Sequence, residues 1–480
     1  MSERGSRAEL AGIGARLRAL RHRRGMSLAV LAGLSGKSAA YLSMVENGKR
    51  PLDRYSLIVS LAEALGVPPA EIAPGASTGA ETADARPATP GGKVHRADLP
   101  DPGSGAFLES PQWCTDALAD LADIGRSDLH AGPQRRRILA GAVYSTASAA
   151  LPDAAWWQSQ ASPPPGPSSG RRRANADDVF AVQQLVVAFS RIDQRLGGGH
   201  GRKALAQYLH GDAAALLGGG FATERVRRDM FTAVGELTYL SGWMAFDNSE
   251  HAHAQRYFRL ALKLAARAGN SPLAGHIIRA MAHQAMDVDR PAVGLKLSAA
   301  SIEGMRYLSA APRERALLGV VHARALAVTG QKQAAAKALL KAEDDLASAV
   351  DGAEPHRASF FAEASLAHET GRTLQACGDV ENAIGHFQRS VRTRAPAYRR
   401  THAVTLGYLG AAHVAAGNIE EACSTWSQAL DVIEDGAIYS ARARQSIADM
   451  RRLVAPLQGR KIPVVAEIDE RAARYLAGSS

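Results

Sequence analysis

The sequence predicts an all-α protein with two folded parts: a small N-terminal helical bundle, then a flexible linker, then a C-terminal α-solenoid. Three observations predict it. Apolar residues recur at intervals of three and four almost throughout, the spacing of one helix face, and no stretch alternates as a half-buried strand would. The second half is rich in Ala and Leu. It also repeats: a turn Gly is followed by Ala five positions on and by a large apolar residue four later still. Gly330, Ala335 and Leu339 make one copy, Gly378, Ala383 and Phe387 a second, and Gly417, Ala422 and Trp426 a third.

In the first 75 residues, Ile13, Leu17 and Leu20 define one apolar helix face, and Gly25 stops that helix. Leu28, Leu31 and Ala32 make a second face, Tyr41, Leu42 and Val45 a third. Ile58, Leu61 and Leu65 make a later one, closed by Gly66 and then Pro68-Pro69. Ser27 is placed to cap the second helix and Ser38 the third. Gly36 stands where the turn between them needs a left-handed residue. Asn47-Gly48 ends the third helix, and Lys49 and Arg50 follow as phosphate grips. Two short helices, a tight turn and a basic loop are the layout of a helix-turn-helix that sets its second helix in the major groove of double-stranded DNA.

Residues 76–176 are assigned to a linker. Residues 74–105 are rich in Pro, Gly, Ala, Ser and Thr and read as a tether. Residues 107–157, with Trp113, Trp156 and Trp157, regain apolar content and are expected to hold short helices. SPPPGPSSGRRR, from Ser162 to Arg173, is a second Pro-rich break. Residues 177–457 form the repeat region, with copies roughly 40 residues apart. Looser copies place Ala254 and Phe258 after Ser249, and Gly294 after Asp289. The Gly, Ser or Asp lets the chain turn, the small residue lets two helices approach, and the large one fills the gap. Residues 458–480 form a tail in which Val464 to Leu476 is a capping helix.

Residues 13–72 resemble the XRE, or phage-repressor-like, helix-turn-helix family. The matching text is IGARLRALRHRRGMSLAVLAGLSG, YLSMVENGKRP and LAEALGV. The resemblance places DNA contacts on Ser27, Lys37, Ser38, Ala39, Ala40, Ser43, Met44, Asn47, Lys49 and Arg50. It implies a dimer on two-fold sites. The chain departs from the family where Leu28 replaces a DNA-touching Gln and Lys37 an aliphatic residue. Ala39, Ala40 and Met44 cannot form bidentate bonds to a base edge, though they can meet thymine methyls, and Ser43 is the polar candidate. A large electrostatic share and modest base discrimination are expected. The repeats resemble a tetratricopeptide (TPR) array, although their spacing exceeds that family's usual 34 residues. A reader joined to such repeats is similar to bacterial peptide-pheromone receptors. Over the full length the chain is more similar to large actinomycete regulators, on the phrases RRRILAGAVYSTASAALP (135–152) and RIDQRLGGGHGRKALAQYL (191–209).

Composition narrows the partners. The 480 residues carry 57 Lys and Arg against 47 Asp and Glu, a formal charge of +10. Half of that excess falls in residues 1–75, which hold 11 basic and 6 acidic side chains. Cys114, Cys377 and Cys423 form neither a disulfide framework nor a metal spacing and suit a reducing compartment. Met1 to Leu10 lacks an apolar signal segment, so a cytoplasmic, nucleoid-associated protein without membrane contact is expected. Gly197 to Lys203 lacks the ending of a phosphate loop and reads as a turn between helices. Arg135 to Arg137, before the apolar run Ile138 to Leu151, reads as the start of a buried helix. His251, His253, His276 and His283 read as core or surface histidines with no acidic or thiol partner to complete a metal set. Arg279, Arg324 and Arg399 can line an acidic-ligand groove, but solvated helix faces are the reading preferred for them. No nucleophile–base arrangement, cofactor motif or metal set is found.

The expectation is a DNA-binding transcriptional regulator, not an enzyme. Its repeats sense a peptide, small-molecule or protein ligand and bias a dimeric reader. Two rivals stay open: an interaction scaffold with a degenerate reader, and a repeat protein acting on a signalling phosphoryl group, for which a motif is lacking.

Overall fold

The structure, a computed structural model, describes residues 2–24, 26–35, 39–50, 52, 58, 61–62, 64–65, 67 and 69–72, and then 113, 115–129, 144–160, 173–436, 438–460 and 462–478. Gly25, Gly36, Lys37, Ser38, Cys114, the run Arg135 to Val143 and both Pro-rich segments lie outside the described residues, apart from Arg173. The chain divides into two compact units, Met1–Pro102 and Gly103–Ser480.

In the first unit, α1 spans Ser2–Arg23, α2 Leu28–Ser35 and α3 Ala39–Glu46. Leu17, Leu31, Leu42, Leu61 and Ile72 are fully buried and Leu65 nearly so, one core drawn from every described helix. The expected apolar faces therefore converge. Gly14 lets α1 meet α3 backbone to backbone, because a Cβ there would lie 2.2 Å from the Val45 carbonyl oxygen. Gly48, at φ 65°, closes α3 as expected: its N–H donates to Val45 O and that of Lys49 to Met44 O.

Among its described residues the second unit is almost wholly helical. Its early helices are α4 (Ala117–Leu129), α5 (Ala154–Gln160), α6 (Ala176–Leu196) and α7 (Gly198–Tyr208). Six antiparallel hairpins follow: α8 (Glu224–Asp247) with α9 (His251–Ala268), α10 (Ser271–Asp287) with α11 (Pro291–Ser301), α12 (Pro312–Val328) with α13 (Lys332–Ala347), α14 (Glu363–Cys377) with α15 (Val380–Thr393), α16 (Arg399–Ala415) with α17 (Ile419–Gly436), and α18 (Ala441–Val454) with α19 (Pro463–Gly478). One pairing was not expected. Arg173–Ala174 lies parallel to Gly220–Phe221 as a two-residue ladder, Arg173 opposite Gly220 and Ala174 opposite Phe221.

The repeat signature has a direct physical meaning. Gly330, Gly378 and Gly417 turn the chain at positive φ, and Ser249 and Asp289 hold the same left-handed position at 60° and 57° in the looser copies. The Ala five residues on is fully buried in each Gly copy. Where the large residue that follows is aromatic, it meets a glycine of the partner helix. A Cβ at Gly242, Gly371 or Gly410 would lie 2.8, 2.8 or 2.3 Å from Phe258, Phe387 or Trp426. In these three hairpins a glycine on the first helix is thus the socket for the aromatic residue of the second.

Two local expectations are corrected. The run Ile138 to Leu151 is not a buried helix where it is described: Tyr144 to Thr146 is irregular, and Ala147–Ala149 is a single 3-10 turn. The Gln255 side chain explains this. It accepts from Ser145 N–H at 3.0 Å and donates to Ser145 O at 2.7 Å, taking groups a helix would need. The turn expected over Gly197 to Lys203 is Gly197 alone, since Gly198 already begins α7. This glycine run joins distant parts of the array. Tyr439 N–H donates to Leu196 O at 2.7 Å and Gly199 N–H to Tyr439 O at 3.0 Å. A Cβ on Gly197 would lie 2.6 Å from Tyr439 O, and one on Gly198 2.5 Å from Met244 O. The curve of the hairpins therefore brings α6 and α7 back against residues near 440 and shapes a partly open cavity.

Candidate nucleic-acid interface and an arginine-lined cavity

The first candidate site is the exposed face of α3. Ala40, Met44 and Asn47 stand clear of the bundle at helical spacing, with Ala39 and Ser43 half-buried at its margin. Asn47 donates from Nδ2 to Ser43 O at 2.7 Å, so its amide is partly committed to its own helix. Lys49 and Arg50 are exposed beyond the helix end, with the Arg50 guanidinium 5.0 Å from the centre of the Tyr41 ring. Ser27 immediately precedes α2, and its carbonyl accepts from Leu31 N–H. Leu28 packs on the bundle core, so the position where relatives carry Gln adds nothing polar to this surface. Lys37 and Ser38 lie outside the described residues. Arg18 and Arg23, exposed on α1, are cations that reading α2 and α3 alone passed over.

The element that presents α3 is held by a buried ion pair. Arg21 donates from Nε to Glu46 Oε1 at 2.7 Å and from Nη2 to Oε2 at 2.9 Å, while Nη1 donates to Met26 O at 2.8 Å. One side chain thereby ties the end of α1 to the end of α3 and to the residue before Ser27. The Glu46 carboxylate raises the Arg21 pKa further.

The second candidate site lies inside the hairpin array, lined by α6, by the first helices of the hairpins and by the loops around Phe360 and Tyr398. It offers about 110 Å³ to groups the size of water or larger, somewhat less than the roughly 150 Å³ of a cavity known to admit benzene. Five arginines and four carboxylates line it. Arg357 bonds Glu236 at 2.8 Å and Glu314 at 2.6 Å. Arg400 lies 3.1 Å from Asp193 and 2.9 Å from Asp247. Glu369 is matched by Arg324 at 3.5 Å, and Arg442 by Asp287 at 2.9 Å. Burial raises the Asp193 pKa to about 6 against the pull of Arg400. Arg357 and the adjoining charges hold Glu314 near 2 despite its burial. Burial lowers His276 and His283 to about 4, so both are neutral near pH 7.

Arg279 and Arg394 differ from the other arginines of this wall. Arg279 is 2% exposed. Its Nη2 donates to Tyr239 Oη at 2.9 Å and meets His276 Nε2 at 3.2 Å, while its Nε has no partner. Arg394 donates from Nη2 to Ala364 O and Ser390 Oγ, and its Nε also has no partner. Burial lowers the Arg394 pKa to about 10. Among the described residues neither has a carboxylate at ion-pair distance.

These positions correct the expectation of solvated faces: Arg279 and Arg324 are 2% and 1% exposed, and Arg399 is half-buried. Two of the histidines read as core or surface residues lie beside carboxylates. His276 Nδ1 lies 3.1 Å from Glu314, and His283 Nε2 3.5 Å from Asp287. Among the described residues, no group of three or more His, Cys, Asp or Glu is placed to hold a metal ion.

The bundle and the exposed face of α3 define a DNA-reader type of domain, and comparison agrees: residues 13–74 match the family described as "Helix-turn-helix domain". Over 55 residues, 12% of this chain, the sequence is 49% identical to the HTH-type transcriptional repressor RghR of Bacillus subtilis (strain 168). The match spans 41% of that protein. No solved structure matches the chain. Among the described residues no helix is long and apolar enough to cross a membrane.

Proposed function

We propose that this chain is a DNA-binding transcriptional regulator, a cytoplasmic and nucleoid-associated homodimer rather than an enzyme, whose TPR-like hairpin array senses a ligand or partner. The carrying observation is the helix-turn-helix match over residues 13–74, joined to an α3 face that stands clear with Lys49 and Arg50 beside it. The bases met by Ala40 and Met44 are read through methyl contacts, and phosphate grips supply most of the affinity. The likeness to actinomycete regulators supports the coupling of reader and repeats. Sensing requires a ligand that favours one arrangement of the array over another, because equal affinity for both would shift nothing. The cavity suits that role, since its walls come from both ends of the curved array.

Fluorescence anisotropy on duplexes selected from a random pool tests the reading. Specific binding that weakens steeply with salt is expected, with the salt slope reduced by about one for each of Lys49→Ala and Arg50→Ala. Equal affinity for selected and scrambled duplexes would instead favour the scaffold reading, which the apolar α3 face and the packed Leu28 support.

A further inference from the structure

We propose that the cavity of the hairpin array is a binding site for an organic carboxylate carried on an apolar body. Arg279 and Arg394 hold the anion, and the surrounding rings hold the body. The inference rests on the ligand-sensing reading above and specifies the ligand's chemistry.

The argument is one of matched and unmatched charge. Every carboxylate on the cavity wall is answered by an arginine: Glu236 by Arg357, Asp193 and Asp247 by Arg400, and Glu369 by Arg324, while Arg442 is taken up by Asp287 beyond the wall. Arg279 and Arg394 are left over. A guanidinium cannot shed its charge, and a buried ion is costly unless it is paired. Arg279 is held in place by Tyr239, by His276 and by the face of Trp243, 5.5 Å away, all neutral groups. They orient the guanidinium without neutralising it, and its Nε donor remains unused. His276 and His283, neutral beside it, do not compete for an anion. A preformed cation with a spare donor at a partly open cavity is the arrangement that recognises a carboxylate.

The walls settle the rest of the ligand. Trp243, Leu317, Phe360, Phe361 and Tyr398 make most of the surface around the two arginines apolar. A bare inorganic anion would leave these rings unsatisfied, whereas an aromatic or branched aliphatic acid uses both halves of the site. A small free acid and the C-terminus of a short apolar peptide share this chemistry.

Isothermal titration calorimetry on the full chain tests the site with phenylacetate, phenylacetamide, and acetyl-Gly-Leu-Phe as free acid and as C-terminal amide. At least one acid is expected to bind about tenfold or more tightly than its amide, and the acid that binds names the source. Arg279→Met should weaken that binding by about tenfold, with Arg279→Lys intermediate. Circular dichroism melts check each variant's fold, and Arg394→Gln serves if Arg279→Met fails to fold. Acids that bind no better than their amides, no binding by either acid at about 10 mM, binding undiminished in folded Arg279 or Arg394 variants, or inorganic phosphate binding as well as the acids would each overturn the proposal. Repeating the DNA titration with the bound acid keeps the two readings apart. Acid binding with unchanged DNA affinity removes the sensing role and leaves the site, whereas lost DNA binding with intact acid binding removes only the reader.

Discussion

Arg21 and Glu46 are the pair on which the reader's geometry turns. Their side chains are 9% and 5% exposed, and each is satisfied by the other. Removing one partner strands the other in the core, so Arg21→Met is expected to destabilise the first unit by about 3 kcal/mol. Urea unfolding of the wild type and the variant measures this, and a loss below about 1 kcal/mol would show the pair to be open to solvent. In the second unit, the buried imidazoles set a pH dependence. His276 and His283 stay neutral down to about 4 in the fold, against an ordinary 6.5 once it opens. The stability this confers is present above pH 6.5 and is lost as pH falls through 6.5 toward 4. Glu314 and Glu369, held near 2, add a further loss below their ordinary 4.5. Asp193, raised to about 6, works the other way between 6 and 3.8. Two histidines against one aspartate leave a net loss, so the urea midpoint should fall between about pH 7 and about pH 5. His276→Gln should flatten that fall.

At the scale of the element, three of the hairpins depend on a glycine that accepts an aromatic ring, at Gly242, Gly371 and Gly410. Gly410 is the tightest case, with its absent Cβ 2.3 Å from Trp426. Gly410→Ala should cost about 1–3 kcal/mol, because the ring or the helix must shift. Phe387→Ala, which empties the equivalent place under Gly371, should cost about 3–5 kcal/mol. Thermal melts order the two variants, and the smaller effect is expected from the added methyl. Three of the hairpins, those turning at Gly330, Gly378 and Gly417, are legible in the sequence because turn, small residue and large residue recur at fixed offsets. Ser249 and Asp289 were legible for the same reason, as stand-ins for glycine at a left-handed turn. Tyr144 to Leu151 was misread because its conformation is set by Gln255, 110 residues from Ser145.

At the scale of the whole molecule, the cavity exists because the array curves until α6 and α7 meet residues near 440. Arg400 reaches Asp247 across 153 residues and Gln194 across 206. No local window holds those pairs, so arginines on helix surfaces were read as solvated when curvature had turned them inward. The glycine run at Gly197 lacks a phosphate motif, and its work is the close approach to Tyr439. Gly197→Ala, at φ 89° and 2.6 Å from Tyr439 O, should loosen that contact. Hydrogen exchange should then quicken at Gly199 and Tyr439 and stay unchanged in α12 and α13, whereas uniform protection would mean the array stays closed without this contact.

The claim on which the functional account stands is that the first unit reads DNA, and immunoprecipitation of host DNA with the tagged chain, followed by sequencing, tests it most directly. Sharp peaks sharing a two-fold motif, lost in a Lys37→Ala, Lys49→Ala, Arg50→Ala variant, are the predicted result. Enrichment indistinguishable from that variant would contradict it.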